Sequence, residues 1–332
     1  MKRLEPKLRV SFVRNFSAGF VLLALLAAPV ISSAANVSQL RGDAFGYSSF
    51  TGATNWDDGM VPSAGNDYFN ATYLLRTPAD ANSYTFQGDS LTITGAGLAT
   101  GANNEALMWK GSGTSAIITV NSLTINGGQL RHGQGDADTF TLAGNITIGA
   151  NNANFATQGG MIITAPIAGS TTIRVLDSGS SDGRREIRLA SGANTFTGDI
   201  QLYGNDSYRS RLRLADDANM NFVIGASGVN NSIFGTGTAY LDGDFFFDLL
   251  GAGTTYGDEW LIEDVTRPIY GDTFTVSGWT PVGTDAWTTA ANGTLYTFWE
   301  STGILRVPEP SSIALLLGGA VMLLALRRHR KA

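Results

Sequence analysis

The sequence predicts an all-β chain, and more specifically a right-handed parallel β-helix, on three observations. Thr, Asn, Gly and Ser dominate, 41 glycines demand many turns, and runs rich in Ala and Leu occur only near the two ends. Short alternating segments then recur: SLTI at 90–93 and 122–125, NITI (145–148), MIIT (161–164), TIRVL (172–176), EIRLA (186–190), DIQLY (199–203) and RLRLA (211–215). From Met161 their starts lie 11 to 14 residues apart, with Gly- or Asn-rich turns between. Finally, alternate positions pair aliphatic side chains on one face, as in Ile187/Leu189, Ile200/Leu202 and Leu212/Leu214. One such strand cannot bury its face alone, so stacked neighbours must share a core. Regular short strands also suit a sandwich, but similarity between successive units favours the solenoid.

Taken in order, residues 1–35 read as a secretory signal peptide. Lys2, Arg3, Lys7, Arg9 and Arg14 precede the apolar stretch Phe16–Ile31, and Ser33 and Ala35 are the small residues a signal peptidase requires. Cleavage is expected between Ala35 and Asn36, after export by the Sec machinery. A retained anchor is the other reading, weakened by Pro29.

Residues 36–89, with Trp56 and several turns, read as an N-terminal β segment covering one end of the coil. Residues 90–240 carry the repeats. From Leu241 the texture changes: FFFDLL (245–250), EWLIEDV (259–265), DTFTVSGW (272–279) and TLYTFWE (294–300) are aromatic-rich, and 241–306 reads as a β-rich cap on the other end.

The ending, 307–332, has three parts. Pro308-Glu309-Pro310 is held extended by its prolines. An apolar run, Ile313–Leu326, follows, and then Arg327, Arg328, His329, Arg330 and Lys331. A helix over 311–326 spans only about 24 Å against a hydrocarbon core of about 30 Å. The basic cluster supplies what length lacks, because Arg327, Arg328, Arg330 and Lys331 anchor the topology on the cytoplasmic side. This order of motif, apolar helix and basic tail resembles the PEP-CTERM sorting signal of Gram-negative bacteria. The resemblance implies that Pro308, Glu309 and Pro310 are recognised by an exosortase-type membrane enzyme. It also implies a surface or extracellular destination, in organisms that make exopolysaccharide. An ordinary C-terminal anchor is the alternative.

A second resemblance lies in the body. GANTFTGD (Gly192–Asp199) is similar to the turn of the autotransporter-associated β-strand repeat. TNWDDGMVPSAGNDYFN (Thr54–Asn70) is similar to the segment that often precedes such repeats. Both imply an exported β-helical body.

Charge and composition narrow the chemistry. Between Asn36 and Val307 there are 26 Asp and Glu against 13 Lys and Arg, and Lys110 is the only lysine. Such a surface repels nucleic acid and anionic lipid. The absence of cysteine removes disulfides, thiolate catalysis and Cys-ligated metals. His132 is the only histidine of the body, which nearly excludes a His-based triad or a multi-histidine metal site.

No catalytic residue and no cofactor is assigned. Alternate carboxylates in GDADTF (135–140) and LDGDFFFD (241–248) would offer at most a weak Ca²⁺ site. The adjacent acids Asp57-Asp58, Asp216-Asp217 and Glu263-Asp264 would diverge if placed on strands. Arg209, Arg211 and Arg213 alternate on one strand and, with Tyr203 and Tyr208, are the residues expected to contact glycan. The expected function is a non-enzymatic surface or matrix protein associated with exopolysaccharide. A β-helical polysaccharide lyase or glycosidase is the alternative.

Overall fold

The computed structural model describes residues 34–97, 105–135, 137–177, 185–204 and 210–309. The expected signal helix, the helix over 311–326 and the basic tail lie outside the described residues. Among the described residues the regular elements are strands, and no helix is long and apolar enough to cross a membrane.

Most strands pair in parallel, as a β-solenoid-like fold requires. Three ladders run side by side along the coil. In the first, Val37, Tyr68, Leu91, Leu123, Ile146 and Ile167 stand one above the next. In the second, the column is Leu75, Leu107, Leu130, Phe155, Val175 and Leu202. In the third it is Ile118, Leu142, Ile163, Leu189, Leu214 and Leu241. All of these side chains are buried in one continuous core. Strand alternation explains the arrangement: residues i and i+2 share a face, so each apolar pair extends an apolar column. Burying one such aliphatic side chain stabilises by about 1.5–3 kcal/mol.

The 11-to-14-residue spacing in the sequence is a step from one face to the next. Stacking partners lie a full turn apart: Met161 beside Ile187, and Ile187 beside Leu212. MIIT and TIRVL, consecutive in the chain, therefore belong to different ladders. Parallel pairing begins at Ala35–Ser38 and ends at Thr275–Val276, taking in strands of both flanking segments, 36–89 and 241–306.

Corners need special backbone. Long strands bend from one ladder to another at register shifts, between Val120 and Leu123 and again between Gly235 and Thr238. Gly144 and Gly235 sit at these corners with φ of 106° and 119°. A Cβ on Gly144 would lie 1.8 Å from Val120 O, and one on Gly235 2.1 Å from Leu202 O. Only glycine lets neighbouring turns approach so closely.

The turn in GANTFTGD replaces a strand where the first ladder would continue. Asn194 Oδ1 accepts the Ile167 N–H at 2.9 Å, in place of a backbone carbonyl, and Thr195 and Thr197 donate to Ile167 O and Gly169 O. The ladder resumes with Asn219–Val223, Asp244–Asp248 and Thr275–Val276.

Aromatic clusters lie in both flanking segments. Trp56 packs edge-on to Tyr68 at 4.8 Å, and Tyr68 to Phe86 at 5.2 Å. At the other end a five-stranded antiparallel sheet brings Phe298 against Phe245 and Tyr270.

Candidate functional site

The outward rows of the coil carry its polar chemistry. Their residues come from strands a full turn apart. On the third ladder Arg188, Arg213 and Tyr240 stand side by side in register. The Arg213 guanidinium donates from Nε to Glu186 Oε1 at 3.0 Å and from Nη1 to Asp242 Oδ2 at 2.6 Å. Its Cζ lies 4.5 Å from the centre of the Tyr240 ring. Partial burial opposes its charge, but the bonds to Glu186 and Asp242 outweigh that and raise its pKa above the ordinary arginine value. Arg213 is thus largely neutralised in place.

On the second ladder Arg174 donates from Nε to Gln201 Oε1 at 2.9 Å, and its Cζ lies 5.0 Å from the Tyr203 ring centre. The structure therefore divides the residues expected to contact glycan. Tyr203 belongs to the second ladder and Arg211 and Arg213 to the third, with the register shift at Gly235–Thr238 between those ladders. Tyr208 and Arg209 lie outside the described residues. Sequence reasoning missed Arg174, Gln201, Glu186 and Tyr240, and marked Asp242 for Ca²⁺ and not as a partner of Arg213. The signal was there as an offset of 27 residues, which relates Arg174 to Gln201 and Glu186 to Arg213.

The remaining sequence-marked residues are dispersed. Ala35 and Asn36 are exposed in the first strand, where the Ala35 N–H donates to Gly65 O at 3.2 Å. At the other end Val307 is fully buried, its N–H donating to Asp258 O and its carbonyl accepting from Gly257 N–H. Pro308 is half-buried and Glu309 exposed; Pro310, Arg327, Arg328, Arg330 and Lys331 lie outside the described residues.

Of the carboxylates expected to hold Ca²⁺, Asp136 lies outside the described residues and the other four are engaged elsewhere. Asp138 accepts from Gly113 N–H at 2.6 Å, Asp242 pairs with Arg213, Asp244 accepts from the Thr275 hydroxyl and Asp248 from Leu250 N–H. Among the described residues no three His, Asp or Glu side chains converge. Asp57, Asp58, Asp216 and Asp217 are exposed turn residues. Glu263 and Asp264 share a strand and point to opposite faces, Glu263 inward and Asp264 outward.

Two buried groups have displaced pKa values. His132 packs against the stacked pair Trp109 and Phe140, at 4.8 and 6.0 Å, and burial pushes its pKa down to about 4. Its Nε2 donates to Asp138 O at 3.0 Å while Nδ1 accepts from Gln134 N–H, so a second proton would break a bond. Glu263 occupies the inward row beneath Ile233, and burial pushes its carboxyl up to about 7. Its Oε1 accepts the Val265 N–H at 2.7 Å. Both are core residues, spent on structure.

Comparison with protein-family models, with curated proteins and with solved structures finds no match to this chain.

Proposed function

We propose that this chain is an exported, non-enzymatic cell-surface or extracellular-matrix protein of a Gram-negative bacterium. Its body is a right-handed parallel β-helix, and its Pro308-Glu309-Pro310 motif is the recognition site of an exosortase-type enzyme. Membrane attachment through the C-terminus is temporary, and the processed protein associates with exopolysaccharide. One observation carries the reading: motif, apolar run and basic cluster follow in that order between Pro308 and Lys331. Supporting it, Val307 is the last core side chain among the described residues, and Glu309, two residues later, is exposed to another protein.

The test is expression of the full chain in a Gram-negative host with and without an exosortase. The wild type should leave the membrane, lose the mass of its tail and begin at Asn36, only when the enzyme is present. Pro308→Ala/Glu309→Ala/Pro310→Ala should stay in the membrane with its tail intact. Identical fates for both proteins would reject the sorting assignment. Shortening of polysaccharide by the purified protein would instead favour the lyase or glycosidase.

A further inference from the structure

Lys110, the body's only lysine, belongs to a group of three cations that the chain assembles from distant segments. Arg76, Met108 and Arg131 stand in register on the outer side of the second ladder. At about 4.8 Å per rung the two arginine backbones are about 10 Å apart. Lys110 follows the same strand as Met108 and reaches toward Arg131, its ammonium donating to Gly133 O.

Among the described residues none of the three has a carboxylate within ion-pair distance, although acids outnumber bases two to one in this body. Asp43 does touch Arg76, but at its backbone N–H, and its other bonds go to Ser49 and Asn55. The Nε atoms of Arg76 and Arg131 are buried without a hydrogen-bond partner. Leaving such donors unpaired is costly, more so on charged groups. Burial, then the charges of Arg76 and Arg131, lower the Lys110 pKa, and burial and Arg76 lower that of Arg131. Three like charges held together without a counterion are what an anion site looks like before its ligand arrives.

A small cleft adjoins the cluster. Arg76, Thr77 and Lys110 form one side, and the loop carrying Phe45, Tyr47 and Ser48 forms the other. Its volume of ≈ 30 Å³ admits a carboxylate or sulfate group and excludes a sugar ring. The ring has a platform outside: Phe45 is 86% and Tyr47 57% exposed. Aromatic faces left in water can cover the apolar C–H face of a pyranose, while arginine and lysine hold its acidic substituent. The body's overall negative charge does not prevent this at physiological salt, where charges act over about 8 Å.

We propose that this cleft binds acidic saccharide, with Arg76, Lys110 and Arg131 on its carboxylate or sulfate and Phe45 and Tyr47 on its ring. The assignment rests on the exopolysaccharide association proposed above and names the charge class of the polymer and the place it binds.

The experiment measures binding of the full chain, purified in non-ionic detergent, to polygalacturonate, dextran sulfate, uncharged dextran and a single-stranded oligonucleotide. The wild type should bind the two acidic polysaccharides and neither of the others, with affinity falling as salt rises. Lys110→Gln/Arg131→Gln should weaken binding at least tenfold and flatten the salt dependence. Phe45→Ala/Tyr47→Ala alters exposed side chains only, so it tests the site even if the first variant fails to fold; it should weaken binding several-fold at an unchanged Tm. Acidic-polymer binding untouched in folded variants overturns this site while the polymer association stands. Binding of no polysaccharide by the wild type overturns both. Equal binding of dextran or of the oligonucleotide overturns the assignment to acidic saccharide.

Discussion

Asn194 and Asn219 hold each other across adjacent turns of the coil. The Asn194 backbone N–H donates to Asn219 Oδ1 at 2.9 Å and its amide to Asn219 O at 3.0 Å; the Asn219 amide returns to Asn194 O at 2.9 Å. Because Asn194 Oδ1 also accepts from Ile167 N–H, one side chain ties three turns together.

Replacing Asn194 with Ala should therefore destabilise the fold by about 2–3 kcal/mol, since the buried Ile167 N–H loses its acceptor and Asn219 O a donor. Denaturant unfolding measures this. A loss under 0.5 kcal/mol would mean that water replaces the amide.

The corner glycines separate backbone strain from collision. Gly113 has φ of 82° with open space around its Cβ position, so Gly113→Ala should cost only about 1–2 kcal/mol. Gly144→Ala and Gly235→Ala add a collision with a backbone carbonyl and should each cost more than about 3 kcal/mol. Equal losses at all three positions would show that the corners yield.

His132 and Glu263 make opposite contributions to stability as pH changes. His132 has a folded pKa of about 4, below its ordinary 6.5, so its contribution is present above 6.5 and lost as pH falls through 4. Glu263, raised to about 7 from 4.5, contributes below 4.5 and loses that contribution as pH rises through 7. Between pH 4.5 and 6.5 the two offset each other. Glu263→Gln removes one side, so the stability of the wild type relative to this variant should rise by about 2–3 kcal/mol from pH 7 to 4.5. Parallel stability curves would show that Glu263 does not titrate in this range.

Arg213 is a partly exposed hub, its side chain 29% accessible and that of Glu186 27%. A double-mutant cycle between Arg213→Ala and Glu186→Ala should give a coupling of about 0.5–1 kcal/mol that shrinks in 1 M salt. A coupling above about 2 kcal/mol would contradict a solvent-screened pair.

The faces of the strands were readable because side-chain alternation is local. Ile187/Leu189, Ile200/Leu202 and Leu212/Leu214 are all buried, as their spacing predicts. Harder to read was GANTFTGD, a turn whose asparagine takes over the bonding of a missing strand. Harder still were the outward partners. Arg174 needs Gln201 and Arg213 needs Glu186, and nothing within one strand points to residues 27 positions away.

The sequence by itself determined the strand character of the body and the inward side of its clearest strands. Those follow from side-chain type and a period of two, which every short segment carries within itself. Only the tertiary structure decided which strands stack and which charges meet. The length of a turn varies, from 20 residues between Ala153 and Ile173 to 34 between Tyr84 and Ile118, because the connecting loops differ. Stacking register is therefore a property of the whole coil, set by what its core can bury together. Arg76, Lys110 and Arg131 become neighbours through that register alone.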